Sequence, residues 1–186
     1  MTSSIFLWSI AALLLFWSVG AYNRLMRLRA DAKSAFETLE AELSKQVALV
    51  RDQFPASEPG QPVSPHDDAT FWNALHGAAA QFAASLSAAK NKPLDGDGIA
   101  ALSAAQSVLA MAWERAERDD AHDLAGARLP DTVIARRAQL SMQADAAINQ
   151  FDLAVTRYNA AIAQFPAVLL ALLFGFKPGR AVNERA

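Results

Sequence analysis

The sequence predicts an all-α protein in which a single N-terminal transmembrane helix is followed by an antiparallel four-helix bundle. An uncharged run of 18 residues, Ile5 to Tyr22, precedes the first charged side chain. Beyond it, four long segments carry apolar residues every three or four positions, which is the spacing of one helix face. No segment alternates polar and apolar residues as a half-buried strand does. The length of 186 residues suits one domain with its own core.

Composition narrows the class of protein further. Hydrophobic residues make up 53% of the chain and are concentrated at its two ends, which indicates membrane lipid as a partner. The 17 Lys and Arg residues against 19 Asp and Glu residues give a net charge of −2, which disfavours nucleic-acid binding. The chain has no cysteine, so disulfides, thiolate metal sites and thiol nucleophiles are excluded.

Residues 1–23 are the predicted membrane anchor. The uncharged run of 18 residues is just long enough to cross a bilayer core of about 30 Å as a helix. Trp8 and Trp17 are expected near the two interfaces, and Tyr22 at the end of the run, because amphipathic rings favour the headgroup region. The chain is therefore predicted to be a single-pass membrane protein.

Charge around the anchor predicts its orientation. Arg24 and Arg27 follow the run directly, and the positive-inside rule then places the bundle on the cytoplasmic side of the inner (plasma) membrane. A cleaved signal peptide is the alternative, since Val19-Gly20-Ala21 resembles a cleavage site. We favour the uncleaved anchor because the first four residues carry no basic charge and the apolar run exceeds a usual signal core.

The first bundle helix is predicted over residues 24–54, continuous with the anchor. Its apolar stripe advances in steps of three and four, with no Gly or Pro to interrupt it. The stripe consists of Leu25, Leu28, Ala32, Phe36, Leu39, Leu43, Val47, Val50 and Phe54. Four prolines within 11 residues then predict a loop over residues 55–66, because proline removes a helical donor and clashes with the preceding turn.

The second and third helices are predicted over residues 68–91 and 98–124. Asp67 or Asp68 is placed to cap the second helix, and Asp97 is expected to cap the third. The apolar stripes are Phe71, Leu75, Ala78, Phe82, Leu86 and Ala89 on the second helix, and Leu102, Ala105, Leu109, Ala112 and Ala116 on the third.

The fourth helix is predicted over residues 131–165. Two interleaved heptad series form a seam typical of a bundle or coiled coil. The series are Ile148, Val155 and Ile162, and Ala144, Phe151, Tyr158 and Phe165. Arg137 falls where this seam requires an apolar residue, so the seam is expected to shift to Val133 and Leu140.

Residues 167–186 are predicted to form an apolar, then basic, membrane-proximal tail. The apolar part is too short to span a bilayer as a helix. Because the fourth helix of an up-down bundle returns to the membrane, we hypothesise that Phe174 and Phe176 lie in the interface and that Lys177 and Arg180 reach the head groups. Packing on the first helix, or in a dimer contact, is the alternative.

The sequence contains no pattern typical of catalysis or metal binding. His66, His76 and His122 have no histidine partner three or four residues away. The acidic stretch from Asp119 to Asp123 is interpreted as a solvated helix end. Asp95-Gly96-Asp97-Gly98 begins like a calcium loop but lacks its later ligands. We therefore predict a non-enzymatic protein without catalytic residues, cofactor or metal.

Motifs near both ends of the chain resemble those of LemA family proteins. One pair follows the anchor, and a set of three motifs closes the chain. The matching residues are Tyr22-Asn23, then Tyr158-Asn159, Phe165-Pro166 and Gly175-Phe176-Lys177-Pro178. Phe151-Asp152 stands where the family often has an earlier Tyr-Asn pair. The proline-rich loop and the end of the tail depart from the family pattern, so the chain resembles a divergent member.

The resemblance implies a single-pass membrane protein with a cytosolic antiparallel helical bundle and no established catalytic activity. Family members are often encoded near membrane zinc metalloproteases of the HtpX type. In this chain, helical spacing accounts for the Tyr-Asn motif: Tyr158 falls on the seam, and Asn159 lies one residue off it, where it can bond a neighbouring helix.

These observations predict a membrane-anchored scaffold or adaptor of the LemA type, acting in envelope or membrane homeostasis with a membrane or cytosolic protein partner. An accessory subunit of a membrane zinc metalloprotease is one alternative. A secreted or periplasmic ligand-binding bundle, released by signal cleavage, is another. Ala-rich seams often pair, which leaves a homo-oligomer open.

Overall fold

The computed structural model describes residues 2–53, 68–122, 129–165 and 167–183, and all regular secondary structure in these ranges is helical. The helices are α1 (Thr2–Gln53), α2 (Asp68–Asn91), α3 (Gly96–His122), α4 (Asp131–Ala163) and α5 (Ala167–Phe174). The proline-rich loop, Phe54 and the residues beyond Asn183 lie outside the described ranges.

Helix α1 is continuous over 52 residues and contains both the predicted anchor and the first predicted bundle helix. It has no proline, so each of its residues retains the backbone donor that a continuous helix needs. Within the described ranges, α1 is the one helix whose length and composition suffice to cross a membrane. Its first part is exposed, and burial begins at Leu25.

From Leu25 onward, α1 packs against α2 and α4, and α2 packs against α3. We call this part of α1, together with α2, α3 and α4, the helical body. Its centre contains most of the predicted apolar stripe residues, and Phe36 of α1 meets Phe151 of α4 edge to face at 5.5 Å between ring centroids. Phe54 and the side chain of Phe71 lie outside the described part of the structure. The largest fully buried side chains include Tyr158, Phe36, Phe82, Phe151, Leu39, Leu43, Leu75, Leu102, Leu109 and Leu140.

The start of α3 differs from the prediction. The helix begins at Gly96, and the Asp95 carboxylate accepts a hydrogen bond of 3.1 Å from the Gly98 N–H. The prediction that Asp97 caps this helix is therefore wrong. A turn in which the Asp95 N–H donates to the Lys92 carbonyl places Asp95 at the capping position, and Asp97 lies in the first helical turn.

Helix α4 ends at Ala163, two residues before its predicted end. Gln164 is extended, with ψ of 141°, and Pro166 follows two residues later in the sequence. A proline disfavours helical backbone at the residue before it, so Phe165 cannot continue the helix. Phe165 is 69% exposed, and the prediction that it extends the buried seam is wrong.

Arg137 interrupts the apolar seam of α4, as its position in the heptad pattern predicts. Its guanidinium donates to the Glu117 carboxylate of α3 and lies over the Trp113 ring, 5.5 Å from the centroid. Val133 and Leu140 on either side are buried, so the seam shifts to them as predicted. Arg137 therefore joins α4 to α3 through its charge and its planar group.

Replacement of Phe151 by alanine tests the packing between α1 and α4. We expect Phe151→Ala to lower the free energy of unfolding by about 3–5 kcal/mol, because the ring is fully buried and the cavity would not collapse completely. Thermal unfolding of the full chain in detergent, followed by circular dichroism, measures the change.

Leu153→Ala is the matched control on the same helix. Leu153 is exposed, so its truncation should change the free energy of unfolding by no more than about 0.5 kcal/mol. Equal effects of the two substitutions would contradict the described packing.

Candidate functional site

The first part of α1 presents apolar side chains to its surroundings. Trp8 is 77% exposed, and no residue of the 18-residue apolar window of this part of the helix is buried. The exposed large apolar residues here are Phe6, Leu7, Trp8, Leu13, Leu14, Leu15, Phe16, Trp17 and Val19. Such a surface is unfavourable in water and favourable in a bilayer.

Helix α5 forms a second exposed apolar surface. It meets α4 at an angle of 98° and turns its small residues, Ala167 and Ala171, toward the helical body, where they are buried. Three of its four leucines remain outside, and among them Leu172 is 85% exposed and Leu173 is 76% exposed. The division of small and large residues lets α5 lie close to the helical body while its leucines stay uncovered.

Aromatic contacts join α5 and its flanking residues to α1. Trp17 contacts Phe165 at 5.8 Å between ring centroids, and Tyr22 contacts Phe174 at 5.3 Å and Phe176 at 6.1 Å. The structure thus brings together five of the predicted interface and motif residues. We call the exposed apolar residues of α1 and α5, with these aromatic contacts, the apolar corner.

The remaining predicted interface residues lie beside this corner or apart from it. Arg24, Arg27 and the motif residue Asn23 are exposed on the turns of α1 that follow Tyr22. Trp8 lies on the earlier turns of α1, away from the contacts with α5. The motif residue Pro166 lies outside the described residues.

Gly175 reverses the chain at the end of α5. Its φ is +68°, a left-handed conformation that glycine adopts without steric cost. The Phe176 N–H then donates to the Ala171 carbonyl at 2.9 Å, which closes the C-terminal turn in the manner of a Schellman motif. The motif Gly-Phe therefore directs the following segment back to the helical body.

Asn159 holds that segment by two hydrogen bonds. Its Nδ2 donates to the Gly179 carbonyl at 2.8 Å, and its Oδ1 accepts from the Gly179 N–H at 2.9 Å. The side-chain amide thereby pairs with both backbone groups of one residue. Gly179 is closely surrounded, because a Cβ there would lie 3.1 Å from the Leu94 side chain and 3.4 Å from Val155.

Asp152, which lies seven residues before Asn159 on α4, also bonds this segment. Its two carboxylate oxygens accept from the Val182 N–H at 2.7 Å and the Asn183 N–H at 3.2 Å. Ser103 of α3 donates to the Val182 carbonyl at 3.3 Å, and the Val182 side chain is buried in the core. We call residues 176–183, with the side chains of α3 and α4 that hold them, the C-terminal clasp.

Tyr158 completes the clasp from within the core. Its hydroxyl donates to the Lys177 carbonyl at 3.1 Å, while its ring is buried with Leu25 of α1. Burial raises the pKa of Tyr158 above the ordinary tyrosine value, and the positive charge of Arg29 acts in the opposite direction. The hydroxyl therefore stays protonated and able to donate at neutral pH.

The clasp changes the interpretation of the tail and of its motifs. Residues 179–183 follow α4 away from α5, and Arg180 is half-buried beside Gly96 of α3. The part of the predicted tail that lies beside the predicted membrane interface therefore ends near Pro178. The spacing of α4 predicts that Asn159 bonds a neighbouring helix; in the structure it bonds the C-terminal segment instead. Asp152 was not among the predicted site residues; its position seven residues before Asn159 is the signal that identifies it.

Two open cavities flank the apolar corner. One, of about 320 Å³, lies between α1 and the α4–α5 turn, with Arg24 as its one charged lining residue among apolar and small neighbours such as Trp17 and Phe165. The other, of about 280 Å³, lies between α1, the α2–α3 turn and the start of the clasp. Four of its lining residues are basic: Arg29, Lys33, Lys92 and Lys177.

Metal-binding geometry is absent from the described part of the chain, where no three His, Asp or Glu residues lie close enough to share an ion. His66 lies outside the described residues, as does Asp123 of the acidic stretch. His76 is half-buried on α2.

No protein-family model, curated protein or solved structure matches this chain. Its relation to LemA proteins therefore stays a prediction from the sequence motifs.

Loss of the Asn159 amide should open the clasp without unfolding the helical body. Asn159→Ala removes two hydrogen bonds of about 1 kcal/mol each, so we expect amide exchange of residues 176–183 to accelerate by about 30-fold. Hydrogen exchange with mass spectrometry measures this segment directly.

Asn149→Ala is the control, because Asn149 is an exposed residue of the same helix. It should leave exchange of the clasp unchanged. Acceleration in both variants, or in neither, would contradict the role assigned to Asn159.

Proposed function

We propose that the protein is a non-enzymatic, membrane-anchored scaffold or adaptor of the LemA type. In this proposal α1 crosses the membrane once, α5 lies in the interface beside it, and helices α1 to α4 form an antiparallel four-helix bundle on the cytoplasmic side. One observation carries the proposal: α5 leaves α4 at 98° with its leucines exposed, next to the end of the uncharged run of α1.

The geometry of the apolar corner supports an interfacial position for α5. Its eight residues extend about 12 Å, which is too short to cross a bilayer. Because α4 packs along α1, a helix perpendicular to α4 lies near the plane of a membrane that α1 crosses. Insertion of one exposed leucine into hydrocarbon is favourable by about 1.5–3 kcal/mol, and α5 exposes three.

Pairwise contacts support the antiparallel arrangement of the bundle. Leu25 of α1 is buried with Tyr158 of α4, and Phe36, further along α1, meets Phe151, which is earlier on α4. The two helices therefore run in opposite directions. The ion pair between Glu40 and Lys90, at 2.9 Å, lies between α1 and α2.

The contacts of α1 with α5 support an uncleaved anchor. Trp17 and Tyr22 lie on either side of the small-residue site at residues 19–21, and both contact aromatic residues near α5. Cleavage there would remove Trp17 and expose Phe165 further. The proposal thus favours a membrane-bound chain over the secreted alternative.

The contacts of the C-terminal clasp support a partner surface elsewhere on the bundle. Tyr158 and Asn159, two of the motif residues of the family resemblance, are engaged by the chain's own C-terminal segment. A membrane or cytosolic partner would then bind the exposed outer faces of the bundle, and an HtpX-type protease is one candidate.

A fluorescent probe on α5 tests the membrane position. The chain has no cysteine, so Leu172→Cys gives one labelling site for the environment-sensitive dye NBD. In vesicles containing the full chain, we expect blue-shifted emission that lipids with doxyl groups on their chains quench, because residue 172 contacts hydrocarbon.

Met142→Cys is the matched control, since Met142 is 67% exposed on α4 within the helical body. Its dye should emit as in water and resist the lipid quencher. If the dye at residue 172 also emits as in water while a dye at Leu14→Cys emits as in lipid, the proposed anchor is supported and the interfacial position of α5 is wrong.

Labelling of the proline-rich loop tests sidedness. We expect a single Gly60→Cys to be protected from a membrane-impermeant maleimide in intact cells and to react once the inner membrane is opened, because the basic residues after the anchor place the loop inside. Reaction after opening of the outer barrier alone, with a shortened chain, would support the secreted alternative.

A further inference from the structure

We infer that the basic cavity beside the apolar corner binds the head group of an anionic membrane phospholipid. This inference rests on the proposed function, because it requires α5 to lie in a membrane. The cavity gathers Arg29 and Lys33 of α1, Lys92 of the α2–α3 turn and Lys177 of the clasp. Residues distant in sequence thus place four positive charges around one space of about 280 Å³.

Among the described residues, these four basic groups form no ion pair with a carboxylate. Asp95, the acidic residue of the lining, accepts a hydrogen bond from the Gly98 N–H and caps α3. Asp31 is two positions from both Arg29 and Lys33 and therefore points away from their face of the helix.

Several cations that converge on one space recognise a phosphate group. Their charges repel one another, so an anion between them is favoured, and phosphate oxygens accept the donors of lysine and arginine. Arg29 is already oriented, since its guanidinium lies over the Phe176 ring at 5.7 Å from the centroid. A cavity of this volume suits a head group and not a whole lipid.

The position of the cavity next to α5 favours a phospholipid over a free anion as its ligand. Gly175 and Phe176, at the end of α5, also line the cavity, so its basic groups begin where the exposed leucines of α5 end. A phospholipid has the same order of chemistry, with the phosphate next to the acyl chains. A head group in the cavity would therefore keep its chains alongside α5.

Binding of two lipids that differ in the head group tests the site. We would titrate the full chain in neutral detergent with dioleoyl phosphatidylglycerol or dioleoyl phosphatidylcholine and obtain each affinity from native mass spectrometry. Tighter binding of phosphatidylglycerol is expected. In Lys92→Gln/Lys177→Gln this preference should fall by about 25-fold, roughly fivefold for each charge, with phosphatidylcholine binding unchanged.

Lys45→Gln/Arg51→Gln removes the same charge from exposed residues near the far end of α1 and should retain the preference. An equal loss in both double variants would overturn the site, as would a preference unchanged in Lys92→Gln/Lys177→Gln. Lys92 and Lys177 are exposed, and circular dichroism verifies that their variant keeps its helices.

Inorganic phosphate distinguishes a lipid site from a site for a free anion. Displacement of phosphatidylglycerol by phosphate at equal concentration would overturn the assignment to a lipid, and retention of the lipid would support it. The dye at residue 172 separates the two proposals. If it reports lipid while phosphatidylglycerol has no advantage, the head-group site alone fails; if it reports water, both proposals fail.

Discussion

The hydrogen-bonded pair of Asn159 and Gly179 fixes the arrangement of the apolar corner. Helix α5 is attached to the helical body at both ends, by the α4–α5 turn before it and by the clasp after it. Its own small residues supply limited packing, because alanine side chains bury little area. Release of the second attachment would leave α5 held by the α4–α5 turn and by its contacts with α1. The clasp therefore acts together with the contacts to α1 in holding α5 at 98° to α4.

The main features of the helical body were predictable because they depend on local spacing. The stripe from Leu25 to Val50 and the heptads around Phe151 place apolar residues on one face whatever the partner is, and most of these residues are buried. Continuity of α1 followed from the absence of proline between the anchor and Gln53. Arg137 and the shift of the seam to Val133 and Leu140 were predictable for the same reason: one polar residue breaks a regular pattern.

The clasp and the basic cavity were not predictable from spacing, because both join residues far apart in sequence. Asp152 and Ser103 lie 30 and 79 positions from their partners, and no periodicity relates them. The error at Phe165 has a different cause. The heptad spacing places Phe165 on the seam, but the proline that follows it disfavours helical backbone at Phe165, and the helix ends at Ala163. A local backbone constraint therefore outweighed the apolar pattern. The error at Asp97 was one of register, because two aspartates stand two positions apart and the one that caps α3 is Asp95.

Because α1 continues from the proposed anchor into the helical body, it would fix the distance between the bilayer and the far end of the body. A hinge between a membrane helix and its domain would let the domain swing over the surface, whereas an unbroken helix transmits every tilt of the anchor to the body. Residues 24–53 rise about 45 Å, so with the proposed anchor in a membrane the far end of the body would stand at a defined height above the bilayer. A partner bound there would be held at that height, and a change in bilayer thickness that tilts the anchor would displace it sideways.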